Sequence, residues 1–165
     1  MSRATLILGV LTGACVILHG ALMPSLALFG GRLNLLVALV AGTALHYGTT
    51  TGMTIGLAAG LLADALFAGA FGLTAIPLVV IGYLAGQVER QFFRDELLVT
   101  VAVGFISIVG FELLVLLLSR HAFGVWWGGA FYRAFVPTVL VNGAFMPVLI
   151  FWLFRILPRR KREVI

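Results

Sequence analysis

Charge is what this chain has least of. Only 10% of its 165 residues are Asp, Glu, Lys or Arg, against about 25% in soluble domains. With 62% hydrophobic residues and a mean hydropathy of +1.16, a soluble globular domain is excluded and an integral membrane protein is required. Acid is scarcer than base, 6 Asp+Glu against 11 Lys+Arg, for a net charge of +5. That excess is no nucleic-acid footprint, because the basic residues sit at the ends of apolar segments and in the tail. Cysteine occurs once, as Cys15 inside an apolar segment. An internal disulfide is therefore impossible, and Cys15 reads as a small packing residue. Strand-like alternation is missing while apolar runs of about 20 residues recur, which selects helices over a membrane barrel. His19, His46 and His121 share no ligand spacing, so neither a metal nor a cofactor is expected. No Ser/His/Asp or Cys/His arrangement stands out, and the chain is not expected to be an enzyme.

What is present is a succession of apolar segments. The expected fold class is all-α: one domain over residues 1–165, with spans near 4–23, 33–48, 50–69, 71–88, 97–119 and 129–154, then a basic tail, 155–165. Arg3 ahead of the first segment resembles a signal peptide. A single charge, the lack of a small-x-small cleavage site and the later spans argue for a retained helix. The loop MPSLALFGGR, with Pro24 and the Gly30-Gly31 pair, is expected to be re-entrant or interfacial. Segment two, Leu33 to Tyr47, would cover only about 23 Å. Adjoining residues must extend it, or protein must shield it. Segment six contains Pro137, Asn142 and Pro147 and is expected to kink. Arg3, Arg90, Arg94, Arg155, Arg159, Arg160, Lys161 and Arg162 fall on one side, and Arg32, Arg120 and Arg133 on the other. That bias places both termini in the cytoplasm. Trp126-Trp127, with Phe131 and Tyr132, then forms an outer aromatic belt, and the run Arg159–Arg162 anchors topology.

The densest signal lies between Gly52 and Gly86. Gly52, Gly56, Gly60, Asp64 and Ala68 recur every fourth residue, which puts them on one helix face. Small residues let a second helix approach closely. Gly82 and Gly86 offer another such face, and Gly9 and Gly13 a third. The candidate packing or partner-binding residues are therefore Gly52, Gly56, Gly60, Asp64, Gly82 and Gly86. A charge in hydrocarbon costs about 2.5–3.5 kcal/mol, so Asp64 should face protein or water. It lies about 7–8 Å below the outer end of its segment. Glu112 also falls in the outer half, and His19 near an outer end. Together with Arg120 and Arg133 these residues form an expected outer-leaflet polar cluster, which Arg32 borders. In one reading the acids are neutralised by arginines or by helix N-terminal amides and hold the bundle together, with Arg133 or Arg120 the expected partner of Asp64. In the other, the cluster lines an outward cavity that takes a ligand or a partner helix. Asn142 reads as a helix–helix hydrogen-bond former.

The stretch GLAAGLLADALFAGAFGLTAIPLVVIGYLAG, Gly56 to Gly86, resembles the rod shape-determining protein MreD family. It has a glycine-rich helix, an aspartate at the helix's outer end, a Gly-x-x-Gly turn, an apolar helix and a closing Gly-Tyr-Leu-x-Gly. RLNLLVALVAGTALHYGTTTG, Arg32 to Gly52, is similar to that family's short second segment, although Gly31-Arg32-Leu33 stands where many members carry a proline and an acid. The resemblance implies a non-enzymatic inner-membrane scaffold of the bacterial cell-elongation complex that makes peptidoglycan. The implied partner is the bitopic protein MreC. The wider complex implied holds MreB, a SEDS (shape, elongation, division and sporulation) glycosyltransferase and a class B transpeptidase. Membrane lipid surrounds such a protein, and nucleic acid is not a partner. The family's fold looks like the substrate-binding subunit of energy-coupling-factor transporters, which makes a vitamin-uptake subunit the alternative.

Overall fold

The computed structural model describes residues 3–22, 27–28, 30–68, 71–91, 97–123 and 128–157. Among them are six α-helices, α1 (Arg3–Leu22), α2 (Leu35–Tyr47), α3 (Thr49–Ala63), α4 (Ala75–Gln91), α5 (Leu97–Phe123) and α6 (Gly128–Ile156). A two-stranded hairpin, β1 (Ala27–Leu28) and β2 (Gly31–Arg32), precedes α2, and a π-helical turn, Asp64–Ala68, prolongs α3. Three stretches are long and apolar enough to cross a membrane: Thr49–Phe67, Val99–Ser119 and Phe135–Ile156. Thr5–Ala21, Leu35–Tyr47 and Ala75–Val88 are shorter apolar helices.

The structure corrects one local expectation. Residues 71–74 form a turn, and the fourth helix begins only at Ala75. Gly72 has φ +95° there, a conformation that glycine adopts at no steric cost and that cannot continue a right-handed helix. In the described part of the MPSLALFGGR loop, the chain is an antiparallel hairpin that pairs Ala27 with Arg32 and Leu28 with Gly31. α6 runs unbroken through Pro137 and Pro147. Trp126, Trp127 and the Arg159–Arg162 run lie outside the described residues.

α2 is the axis of the bundle. Every residue from Leu36 to Leu45 is buried, and α2 packs on α1, α3, α4, α5 and α6. A helix that is apolar all round is one that is covered all round. At 1.5 Å per residue α2 spans about 20 Å, short of the roughly 30 Å hydrocarbon core. Its neighbours, rather than lipid, surround it, so shielding by protein resolves its short length. A single residue, Gly48, separates α2 from α3. Its φ of 90° and ψ of −179° lie in a region open essentially to glycine alone.

α3 and α4 form the tightest helix pair, and glycine is the reason. A Cβ on Gly56 would lie 2.6 Å from the Leu78 carbonyl oxygen, and one on Gly60 would strike the Ala75 backbone. Gly82 meets the backbone of Gly52, and Gly86 meets Thr49. The pairing order is antiparallel, with main chain against main chain along the whole contact. Such an approach gains dispersion contacts that any larger side chain would remove.

Candidate functional site

Asp64 is the first of the chain's polar anchors. It ends the glycine face of α3, at the point where the helix widens into its π turn. Its side chain is 1% exposed. One carboxylate oxygen, Oδ2, accepts from the Gly72 amide at 2.8 Å and the Ala75 amide at 3.1 Å. The other, Oδ1, accepts from the Thr74 amide at 2.9 Å. These donors precede and open α4, where backbone N–H groups have no partner within their own helix. Asp64 therefore caps a neighbouring helix rather than its own. The buried charge is met by three oriented amides at the positive end of the α4 dipole. Of the two ways of neutralising it that the sequence leaves open, the described contacts use helix N-terminal amides. Arg120 and Arg133 belong to α5 and α6, but their side chains lie outside the described residues.

Asn142 is the second anchor, and it is fully buried. Its Oδ1 accepts from the Asn34 amide at 2.7 Å. Its Nδ2 donates to the Arg32 carbonyl at 2.7 Å and to the Thr138 carbonyl at 2.8 Å. The Thr138 hydroxyl accepts from the Arg32 amide at 3.2 Å. Asn34 in turn caps α2 through its own Oδ1, which accepts from the Val37 amide at 3.2 Å. One side chain on α6 thus holds strand β2 and the start of the central helix. Replacing Asn142 with Leu strands the Asn34 amide and the Arg32 carbonyl, at about 1–3 kcal/mol for each unsatisfied buried group. Asn142→Leu is expected to lower the melting temperature in detergent well below that of a substitution at a lipid-facing residue such as Leu140.

Above these anchors lies a cavity with two adjoining lobes of about 510 and 640 Å³. His19, Arg32, Asn34, Phe67 and Glu112 line both lobes. These residues come from the end of α1, the approach to α2, the π turn after α3 and the later half of α5. The Phe67 ring lies flush on Gly20, where a Cβ would collide with it. Among the described residues, the buried Nδ1 atom of His19 has no hydrogen-bond partner.

The sequence-derived polar cluster is thereby split. His19 and Glu112 share the cavity with Arg32, whereas Asp64 is withdrawn into the α3–α4 joint. The glycines Gly52, Gly56, Gly60, Gly82 and Gly86 lie in that joint as well. Asn34, Phe67 and Thr138 escaped the sequence reading. Asn34 carried a usable signal, being a cap-forming residue directly ahead of an apolar run. Phe67 and Thr138 carried none, since an aromatic or a threonine in an apolar segment is ordinary. His46, remote from the cavity, packs its ring on Tyr47 and Phe154, with centroids 4.6 and 5.4 Å away.

A chain this apolar, folded into helices long enough to cross a bilayer and buttressed by shorter ones, is an α-helical membrane protein. Over residues 4–160 it matches the family described as rod shape-determining protein MreD. The chain belongs to that family, whose role is the determination of rod shape. No curated protein and no solved structure matches it.

Proposed function

We propose that this protein is a multi-pass scaffold of the cell-elongation machinery in the bacterial cytoplasmic membrane. In this reading the chain is one transmembrane domain of six spans with both termini cytoplasmic. It binds the single helix of MreC and so connects to MreB, a SEDS glycosyltransferase and a class B transpeptidase. It catalyses no step itself. The observation that carries this reading is the family match across residues 4–160. The family match lends nothing to the alternative, a vitamin-uptake subunit of an energy-coupling-factor transporter.

The packing of the glycines supports a specific place for the partner helix. The faces of α3 and α4 are closed on each other, so a second helix has no access to Gly56 or Gly60. Among the described residues, nothing lies within 4 Å of a Cβ added at Gly9 or Gly13 on α1. Exposed Leu6, Val10 and Ile17 lie around them. On this reading the MreC helix packs against α1 through that small-residue pair.

The test uses a rod-shaped bacterium lacking its own family member. Expression of this chain together with its own MreC is expected to restore rods, and MreC is expected to co-purify with it. The double variant Gly9→Leu, Gly13→Leu meets no internal obstacle. It should accumulate and melt as wild type does, yet recover several-fold less MreC. Cells that stay round with the wild-type chain abundant in the membrane would sink the scaffold reading. Undiminished MreC recovery by the double variant would sink the α1 interface alone.

A further inference from the structure

The cavity holds opposite charges that do not neutralise one another. Arg32 and Glu112 both line each lobe, and among the described residues no ion pair or hydrogen bond joins their side chains. Arg32 is exposed at the cavity and Glu112 is half-buried; a carboxylate near hydrocarbon is costly and persists where something else meets it. The buried Nδ1 of His19, which has no partner among the described residues, is a third polar group at the same place. A purely anionic ligand would satisfy Arg32 and be repelled by Glu112. A purely cationic one would do the reverse. A zwitterion satisfies both.

The rim says what carries that zwitterion. Leu66 and Phe67 line the first lobe and are 58% and 53% exposed. The polar first lobe is therefore bordered by exposed apolar side chains. A volume of about 510 Å³ lies within the range of small-ligand sites. We propose that this cavity binds a phosphoammonium zwitterion, the headgroup of an aminophospholipid such as phosphatidylethanolamine. Arg32 takes the phosphate and Glu112 the ammonium, while His19 supplies one further hydrogen bond. The acyl chains leave over Leu66 and Phe67. The same chemistry is offered by a soluble phosphoammonium compound, and the two sources differ in whether the apolar rim contributes.

Native mass spectrometry of the purified full chain, titrated with phosphatidylethanolamine, phosphatidylglycerol or phosphatidylcholine of matched acyl chains, tests this directly. The wild-type chain is expected to bind phosphatidylethanolamine about tenfold more tightly than either of the others, the scale of one charge-assisted contact. Phosphatidylglycerol lacks the cation, and phosphatidylcholine lacks the N–H donors. Glu112→Gln should erase the preference over phosphatidylglycerol, and Arg32→Gln should weaken all three lipids. O-phosphoethanolamine added as competitor separates the sources. Failure to displace the lipid assigns the site to lipid, and displacement at near-stoichiometric concentration assigns it to a soluble zwitterion. Equal binding of the three lipids by the wild-type chain, without displacement, would overturn the proposal, and that arm does not depend on how either variant folds.

Discussion

Gly60→Leu is expected to abolish the folded bundle rather than weaken a surface contact. The first side-chain carbon would strike the Cα and N of Ala75. Backbone cannot rotate aside as a side chain does, so the α3–α4 pair must separate. Inserting extra carbon into a packed core costs about 1–3 kcal/mol when side chains give way, and more when they cannot. A loss above about 3 kcal/mol is expected here. The same substitution displaces the Ala75 amide, which donates to Asp64, so packing and capping fail together. Gly56→Leu, aimed at the Leu78 carbonyl, should behave alike. Gly13→Leu provides the contrast, since it meets open space and should leave melting unchanged. Size-exclusion profiles and thermal melts in detergent read all three. A monodisperse Gly60→Leu protein that melts like wild type would show that α3 and α4 are not held backbone to backbone.

Asp64→Asn is the second large effect. The amide keeps one acceptor oxygen and turns the other into a donor that faces a backbone N–H. At least one of the three bonds to Gly72, Thr74 and Ala75 is then lost, and those that remain lose their charge assistance. Hydrogen bonds to a charged group are worth about 1.5–3 kcal/mol each, so a loss of about 3–5 kcal/mol is expected. The local signature separates this from general destabilisation. Amide hydrogen exchange should accelerate over residues 71–76 before it accelerates in α2. Because the acceptor is buried and its donors are uncharged amides, wild-type stability at this joint should depend little on salt. Unchanged exchange at 71–76 in Asp64→Asn would show that the carboxylate does not hold the start of α4.

The glycine spacing and the placement of Asp64 show how far periodicity alone reaches. Four-residue intervals put Gly52, Gly56, Gly60 and Asp64 on one face, and that face is the buried one. The interval says nothing about the helix opposite, which is α4 of the same chain. Asp64 had to face protein because hydrocarbon would not tolerate it. Which donors met it depended on the turn after residue 70, where Gly72 aims its amide back at α3. Segment two was visibly too short to span the bilayer, and its ring of neighbours supplied the reason.

Composition and local pattern determined the class: membrane protein, helical, with few acids, and those acids bound to seek partners. These are properties of single segments, set by transfer energies and a 3.6-residue period. Tertiary structure decided the rest. It met Asp64 with the amides that open α4, closed the α3 and α4 glycines on each other while leaving Gly9 and Gly13 open among the described residues, and brought His19, Arg32 and Glu112 to one cavity. Those outcomes depend on contacts such as that between Asn34 and Asn142, 108 residues apart. No local period encodes a pairing at that separation. It is selected by which buried polar groups satisfy one another once the whole bundle has closed.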